Sequence, residues 1–299
     1  MAIATFTPDN VTMLENLTGG VPVEQGQQII QDVMGNSVTM QLAKYEPMTQ
    51  KEKEFDVFLN GIGAYWVGEG QRIQTTKPTW GKVKMTAHKL GVILPVSREY
   101  LTYKQSDFFE AMKPAIAEAF YKKFDAATIL NIDNPYSQSI EESVIAESAV
   151  VEGDLNIENY ETAVGHVNDA GFEVNGVVSK VQNRSLLRGL VTDNNGLKTA
   201  LYDGDTLDGA AVVNMNKDIA EFTKGSLIVG DFDKVFYGIP YNMTYAISND
   251  ATLTTVVGDD GAPLNLFERD MVALRVTMDI GFMVVSDGAF AKVQPTETP

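Results

Sequence analysis

Two stretches of this chain carry an unbroken hydrophobic rhythm, and their periods differ. Between Ser106 and Asn131, Phe109, Met112, Ile116, Phe120, Phe124, Ala127 and Leu130 recur at steps of three and four. That spacing lines one face of an α-helix and sends Glu110, Lys113, Glu118 and Lys123 elsewhere. Such a helix spans about 40 Å. Ser106, followed by Asp107 and Glu110, predicts its N-cap. Pro114 removes a hydrogen bond to the Glu110 carbonyl and predicts a bend in the first turns. From Met271 to Val285 the rhythm is strict alternation: Val272, Leu274, Val276, Met278, Ile280, Phe282 and Val284 are apolar, with Arg275, Thr277 and Asp279 between them. Period two predicts a half-buried strand of nearly 50 Å, at about 3.3 Å per residue. Helix and strand match in length, so the pattern predicts that one lies along the other. About 140 residues separate them, which makes the domain they form discontinuous and leaves the intervening chain to fold as its own unit.

Shorter patterns fill in the rest. Residues 1 to about 20 are polar, end in Gly19-Gly20, and predict an arm without a core. Pro22 opens a short helix whose apolar face is Ile29, Ile30, Val33 and Met34, ending at Gly35. Phe55, Val57 and Leu59 mark a strand. Val83 to Val96 alternates again, and Ser97 caps a short helical turn before the long helix. Between these strands, Gly61, Gly63, Gly68, Gly70 and Gly81 punctuate a stretch that holds Tyr65, Trp66, Val67, Ile73 and Trp80 with little room for a local core. Those aromatic and branched residues either meet another subunit or fold back over their own domain. Further on, Asn156 caps a helix carrying Ile157, Tyr160, Val164 and Val167 inward and stopped by Gly171.

Composition narrows the function classes. The 299 residues contain no cysteine, which excludes disulfides, thiolate metal sites and cysteine catalysis. A net charge of −17 and the lack of a Lys/Arg-rich run argue against direct binding of nucleic-acid phosphates. No stretch of 18 apolar residues spans a membrane, and the N-terminus lacks the features of a signal peptide. His88 and His166 have no metal-ligand spacing and take structural or surface roles. No nucleophile elbow, P-loop lysine or dinucleotide fingerprint occurs. Asp203-Gly204-Asp205 with Asp208 lacks the ligands of a calcium loop, and Asp259-Asp260-Gly261 is a hairpin turn. The residues therefore predict no enzyme, no cofactor and no metal.

The ordered set of motifs carries a resemblance. Trp66-Val67-Gly68-Glu69-Gly70, a lysine-bearing strand, Leu94-Pro95-Val96-Ser97-Arg98-Glu99-Tyr100-Leu101 and the long helix together resemble major capsid proteins of tailed bacteriophages with the Hong Kong 97-like fold. Thr206-Leu207-Asp208-Gly209, Gly230-Asp231-Phe232 and Ala289-Phe290 continue it, from about Val21 to Val293. The family's usual proline before the axial strand is replaced here by Ala210-Ala211.

The resemblance implies an α+β fold with an N-terminal arm and short helix (1–44), an extended β-hairpin loop (45–82), a peripheral domain with a long spine helix and long strands (83–135 and 264–299), and an axial domain (136–263). It implies a subunit that assembles with itself into hexamers and pentamers of an icosahedral head. That head encloses double-stranded DNA without reading its sequence. Further implied partners are a separate scaffolding protein, since the chain begins at Met1 without a long helical segment before the arm, and a portal. The expected place is the virion capsid, assembled in the bacterial host cytoplasm. An encapsulin-type compartment shares the fold, and a soluble oligomeric enzyme is the reading from a different class. Some family members cross-link a loop lysine to a neighbour's asparagine beside a buried glutamate. Lys77 or Lys82 could supply the amine, but Asp270 stands at the asparagine position and Thr277 or Met278 near the glutamate, so no covalent cross-link is expected.

Overall fold

The computed structural model describes residues 32–60, 69, 72, 79–194, 197–215, 219, 222–241, 243–257 and 263–296. The apolar stripe forms one uninterrupted helix, Arg98–Leu130, with Pro114 inside it. The cap expected at Ser106 and the separate turn after Ser97 are thus a single element. No helix breaker stands between Arg98 and Lys113, and the first turn is held from outside. The Arg98 N–H donates to the Asp270 carbonyl at 3.1 Å, and Arg98 Nε lies 3.0 Å from Asp270 Oδ1. Ile116, Phe120, Phe124 and Ala127 are buried as the period requires, while Glu118 and Lys123 are exposed. Lys113, expected to point away, is only 7% exposed. It sits on the flank of the stripe between Met112 and Ile116, where a long aliphatic stem can lie along apolar surface.

The late alternating stretch is the strand Met271–Val284. Its backbone partner is not the helix but a second long strand, Thr79–Ser97, paired antiparallel from Met271 opposite Ser97 to Phe282 opposite Thr86. The helix crosses the inner face of this pair. There Phe124 meets Phe282 edge-on at 6.3 Å, and Tyr136 leans on Phe282 at 5.6 Å while its hydroxyl donates to the Ile280 carbonyl at 3.1 Å. Toward its end the strand is buried on both faces, because Met283 joins Met48, Met85 and Ala87 in a small second core. The full sheet runs Lys44–Tyr45, Val235–Gly238, Met271–Val284, Thr79–Ser97, Glu52–Asn60, and Thr244–Ser248 also pairs with Met271–Val284.

A second sheet runs Val150–Glu152, Phe290–Gln294, Leu227–Gly230, Gly176–Lys180, Ala210–Met215, Thr206–Leu207. Asp208 and Gly209, at φ 51° and 83°, make the two-residue turn between its last two strands, which is what an Asp-Gly pair between strands favours. The helix Ile157–Asp169 covers this sheet with Tyr160, Ala163 and Val167. Its N-terminal Asn159 N–H donates to the Asn156 side chain at 2.8 Å, and Gly171 ends it at φ 85°. Three strands cross the boundaries expected from sequence. Val235–Gly238 and Thr244–Ser248 hydrogen-bond into the first sheet, and Phe290–Gln294 into the second. The main core runs continuously through both sheets and the long helix. Among the described residues no helix is long and apolar enough to cross a membrane.

Candidate assembly interface

The ribbon that leads to the glycine-rich stretch is the antiparallel pair Glu52–Asn60 and Thr79–Ser97, which still pairs at Phe58 opposite Trp80. Charges alternate across it. Lys84 Nζ lies 2.7 Å from Glu52 and Lys82 Nζ 3.6 Å from Glu54, both on the exposed surface. Of the residues proposed to meet a neighbour, Tyr65, Trp66, Val67 and Ile73 lie outside the described residues. Trp80 lies in the strand, its side chain outside them. Lys53, at the ribbon's root, pairs with Glu46 and sits 5.3 Å over the Phe55 ring.

The positions compared with a cross-linking site have other occupations. Asp270, at φ 48°, closes the turn before the long strand and pairs with Arg98. The Thr277 and Thr244 hydroxyls are 2.6 Å apart, and Met278 is buried in the main core. Lys82 faces Glu54, and Lys77 is outside the described residues. Of the two histidines, His88 stands edge-on to Tyr136 at 5.3 Å, and His166 is exposed in the last turn of its helix. Asp203 and Asp205 hold a backbone turn: the Asp203 N–H donates to the Thr206 carbonyl at 3.0 Å, and the Asp205 carbonyl accepts from Val212 at 2.9 Å.

Two features escaped the sequence reading. The first is a polar lock where the N-terminal segment meets the long helix. Asp125 is buried, and its carboxylate accepts from the Ser37 hydroxyl at 2.7 Å, the Val38 N–H at 2.9 Å and the Thr39 N–H at 3.1 Å. The Thr39 and Thr128 hydroxyls touch at 2.7 Å, and Ser37 caps the short helix Val38–Leu42 through the Met40 N–H. Burial pushes the Asp125 carboxyl up to about 6, against the opposing pull of these hydrogen bonds. The available signal was a pair of polar residues, Asp125 and Thr128, falling on the apolar stripe. The second feature is Phe267, 75% exposed at the tip beside a small cluster of Leu253, Leu264, Leu266 and Ala273.

Residues 19–294 match the family described as the phage capsid family. The chain is 49% identical over 295 residues to the major capsid protein of Staphylococcus phage 80alpha, covering 98% of this chain and 90% of that protein. It belongs to the phage capsid family. A probable major capsid protein of Mycobacterium phage D29 is 22% identical, covering 88% and 86% of the two chains. The fold is shared with a solved chain of Microbacterium phage Oxtober96 at a TM-score of 0.70 and 22% identity, covering 98% and 96%. It is also shared with the capsid of an empty GTA particle at a TM-score of 0.65 and 15% identity, covering 88% and 90%. These capsid structures carry the Hong Kong 97-like architecture, so the fold expected from the motifs holds. The capsid relatives are structural proteins, and neither the compartment nor the enzyme reading is favoured.

Proposed function

We propose that this subunit is the major capsid protein of a phage head, assembling with itself as hexamers and pentamers into an icosahedral shell in the virion. The 49% identity to a major capsid protein across 98% of the chain carries the reading. The first sheet with the long helix serves as the peripheral domain and the second sheet with Ile157–Asp169 as the axial domain. The ribbon reaches a neighbouring copy through Tyr65, Trp66, Val67, Ile73 and Trp80. Contacts repeated between many copies multiply into a stable closed shell. DNA is enclosed rather than bound, consistent with a net charge of −17. A separate scaffolding protein and a portal complete assembly in the host cytoplasm. Purified subunit examined by sedimentation and electron microscopy is expected to show capsomers or shells. Monomer alone, at high concentration and in assembly-promoting salt, would refute the reading.

Mature shells are expected to lack covalent links between subunits. The pairing of Asp270 with Arg98, the contact of Thr277 with Thr244 and the burial of Met278 support this. Boiling in denaturant followed by gel electrophoresis should give a single subunit band, whereas a ladder of multimers would overturn the expectation.

A further inference from the structure

The chain passes directly between the two sheets at two places, and the passages lie side by side. Residues 231–234 lead from Leu227–Gly230 to Val235–Gly238, and residues 285–289 lead from Met271–Val284 to Phe290–Gln294. The Val285 N–H donates to the Lys234 carbonyl and the Asp231 N–H to the Ala289 carbonyl, each at 2.9 Å. Two adjacent links make a hinge, about which packed apolar surfaces can slide. Residues 37–48 cross over it. They start on the long helix, where the Val38 and Thr39 N–H groups donate to Asp125. The short helix Val38–Leu42 then packs on the second-sheet strand Ala210–Met215, and a Cβ at Gly176 of that sheet would lie 3.2 Å from Leu42 Cδ2. Lys44 reaches Asp233 in the first passage at 3.1 Å, and the Glu46 N–H donates to the Tyr237 carbonyl of the first sheet at 2.8 Å. Met48 ends the segment, buried against Gly238 and Gly281 of the first sheet. A Cβ at Gly238 would stand 2.6 Å from the Glu46 carbonyl and 2.7 Å from Met48 Cγ, and one at Gly281 would stand 2.9 Å from Met48 Sδ. Glycine in three strands thus leaves a seat that fits this segment.

We propose that residues 37–48 are a strap that closes over this hinge and holds the second sheet at one angle to the first. Both ends of the strap are hydrogen-bonded to the first sheet or its long helix, and its middle is seated on the second sheet. The second sheet therefore cannot turn about the hinge until the strap lets go at one of these points. The strap acts within one copy, so it stands apart from the shell-forming reading.

Gly238→Ala tests the strap directly. The three atoms nearest the new Cβ all belong to Glu46 and Met48, and the backbone at 238 is not in the left-handed region, so the substitution presses on the strap. The chain has no cysteine. Spin labels at Lys89→Cys in the first sheet and Glu161→Cys on the helix covering the second, both exposed positions, report the angle between the sheets. Labelled subunit diluted into unlabelled subunit keeps the reading within one copy. Gly238→Ala is expected to at least double the width of the label-to-label distance distribution. It should also speed exchange of the Gln41, Ala43 and Glu46 amides at least tenfold. Gly165→Ala, whose Cβ meets nothing within 4 Å, should change neither. Leu42→Ala, which empties the seat at Gly176 and adds no clash, should widen the distribution as well, and it decides the matter where Gly238→Ala fails to fold. An unchanged distribution in Leu42→Ala, freed strap amides in Gly238→Ala beside an unchanged distribution, or equal widening in Gly165→Ala would each overturn the proposal.

Discussion

Replacing Asp125 with alanine is expected to destabilise the unassembled subunit by about 3 kcal/mol, a large share of a typical folding free energy. The carboxylate accepts from the Ser37 hydroxyl and from the Val38 and Thr39 N–H groups. A freed hydroxyl can rotate toward another acceptor; the two backbone donors cannot. Left buried without partners they cost about 1–3 kcal/mol each, offset in part by no longer desolvating a carboxylate. The damage is local in a useful way, because these donors belong to the first turn of the short helix Val38–Leu42. Denaturant unfolding of wild type and variant measures the loss, and a change below about 1 kcal/mol would show that the lock is not needed for stability.

The pH dependence of the same site has a definite sign. In the unfolded chain Asp125 titrates at 3.8, and in the folded chain burial pushes it up to about 6. The folded state therefore holds a proton that the unfolded state has released. This group's contribution to stability is fully present below about pH 4 and is lost as pH rises through 6, by about 3 kcal/mol in all. The groups acting on Asp125 are hydroxyls and amides, with burial the leading cause. Asp125→Asn stays neutral at every pH, so its stability relative to wild type should improve between pH 4 and 7 by that amount. A difference that stays flat across this window would place the carboxyl's titration elsewhere.

What the sequence made legible follows from the range of each interaction. The stripe Ile116, Phe120, Phe124, Ala127 is periodic, and period reports burial whatever the partner, so the helix face was readable. The start of that helix was not, because Asp270 satisfies its first N–H from more than 170 positions away. Strand alternation in Met271–Val284 was plain, yet its partner went unread, since two alternating strands do not announce that they pair. Gly230 was recognised only as part of a motif. Its reason lies in the fold: a Cβ there would stand 2.4 Å from the Phe290 ring and 2.6 Å from the Ala289 carbonyl. Asp125 was hidden for the same cause as Asp270, since its partners Ser37, Val38 and Thr39 lie 86 to 88 residues earlier.

The largest effect on assembly is expected from Trp66→Ala. Gly61 and Gly63 precede Trp66 and Gly68 and Gly70 follow it. The strands on either side of this stretch pair with each other as far as Asn60 and Thr79, with a shift of register after Phe58. The ribbon is thus anchored at its root by its own sheet, and the proposal assigns its far end to a neighbouring copy. Burying most of a tryptophan's ~200 Å² in that neighbour contributes about 5 kcal/mol before ordering costs, at ~25 cal/mol per Å². Each subunit in a shell would lose that contact at once, so shells should fail to form at concentrations where wild type assembles, while the free subunit's melting temperature holds. If Trp66 instead packs against its own domain, alanine leaves a cavity costing about 3–5 kcal/mol of fold stability. Melting temperature and shell yield, measured on the same variant, separate the two outcomes. A large fall in melting temperature would assign Trp66 to its own subunit and remove it from the interface.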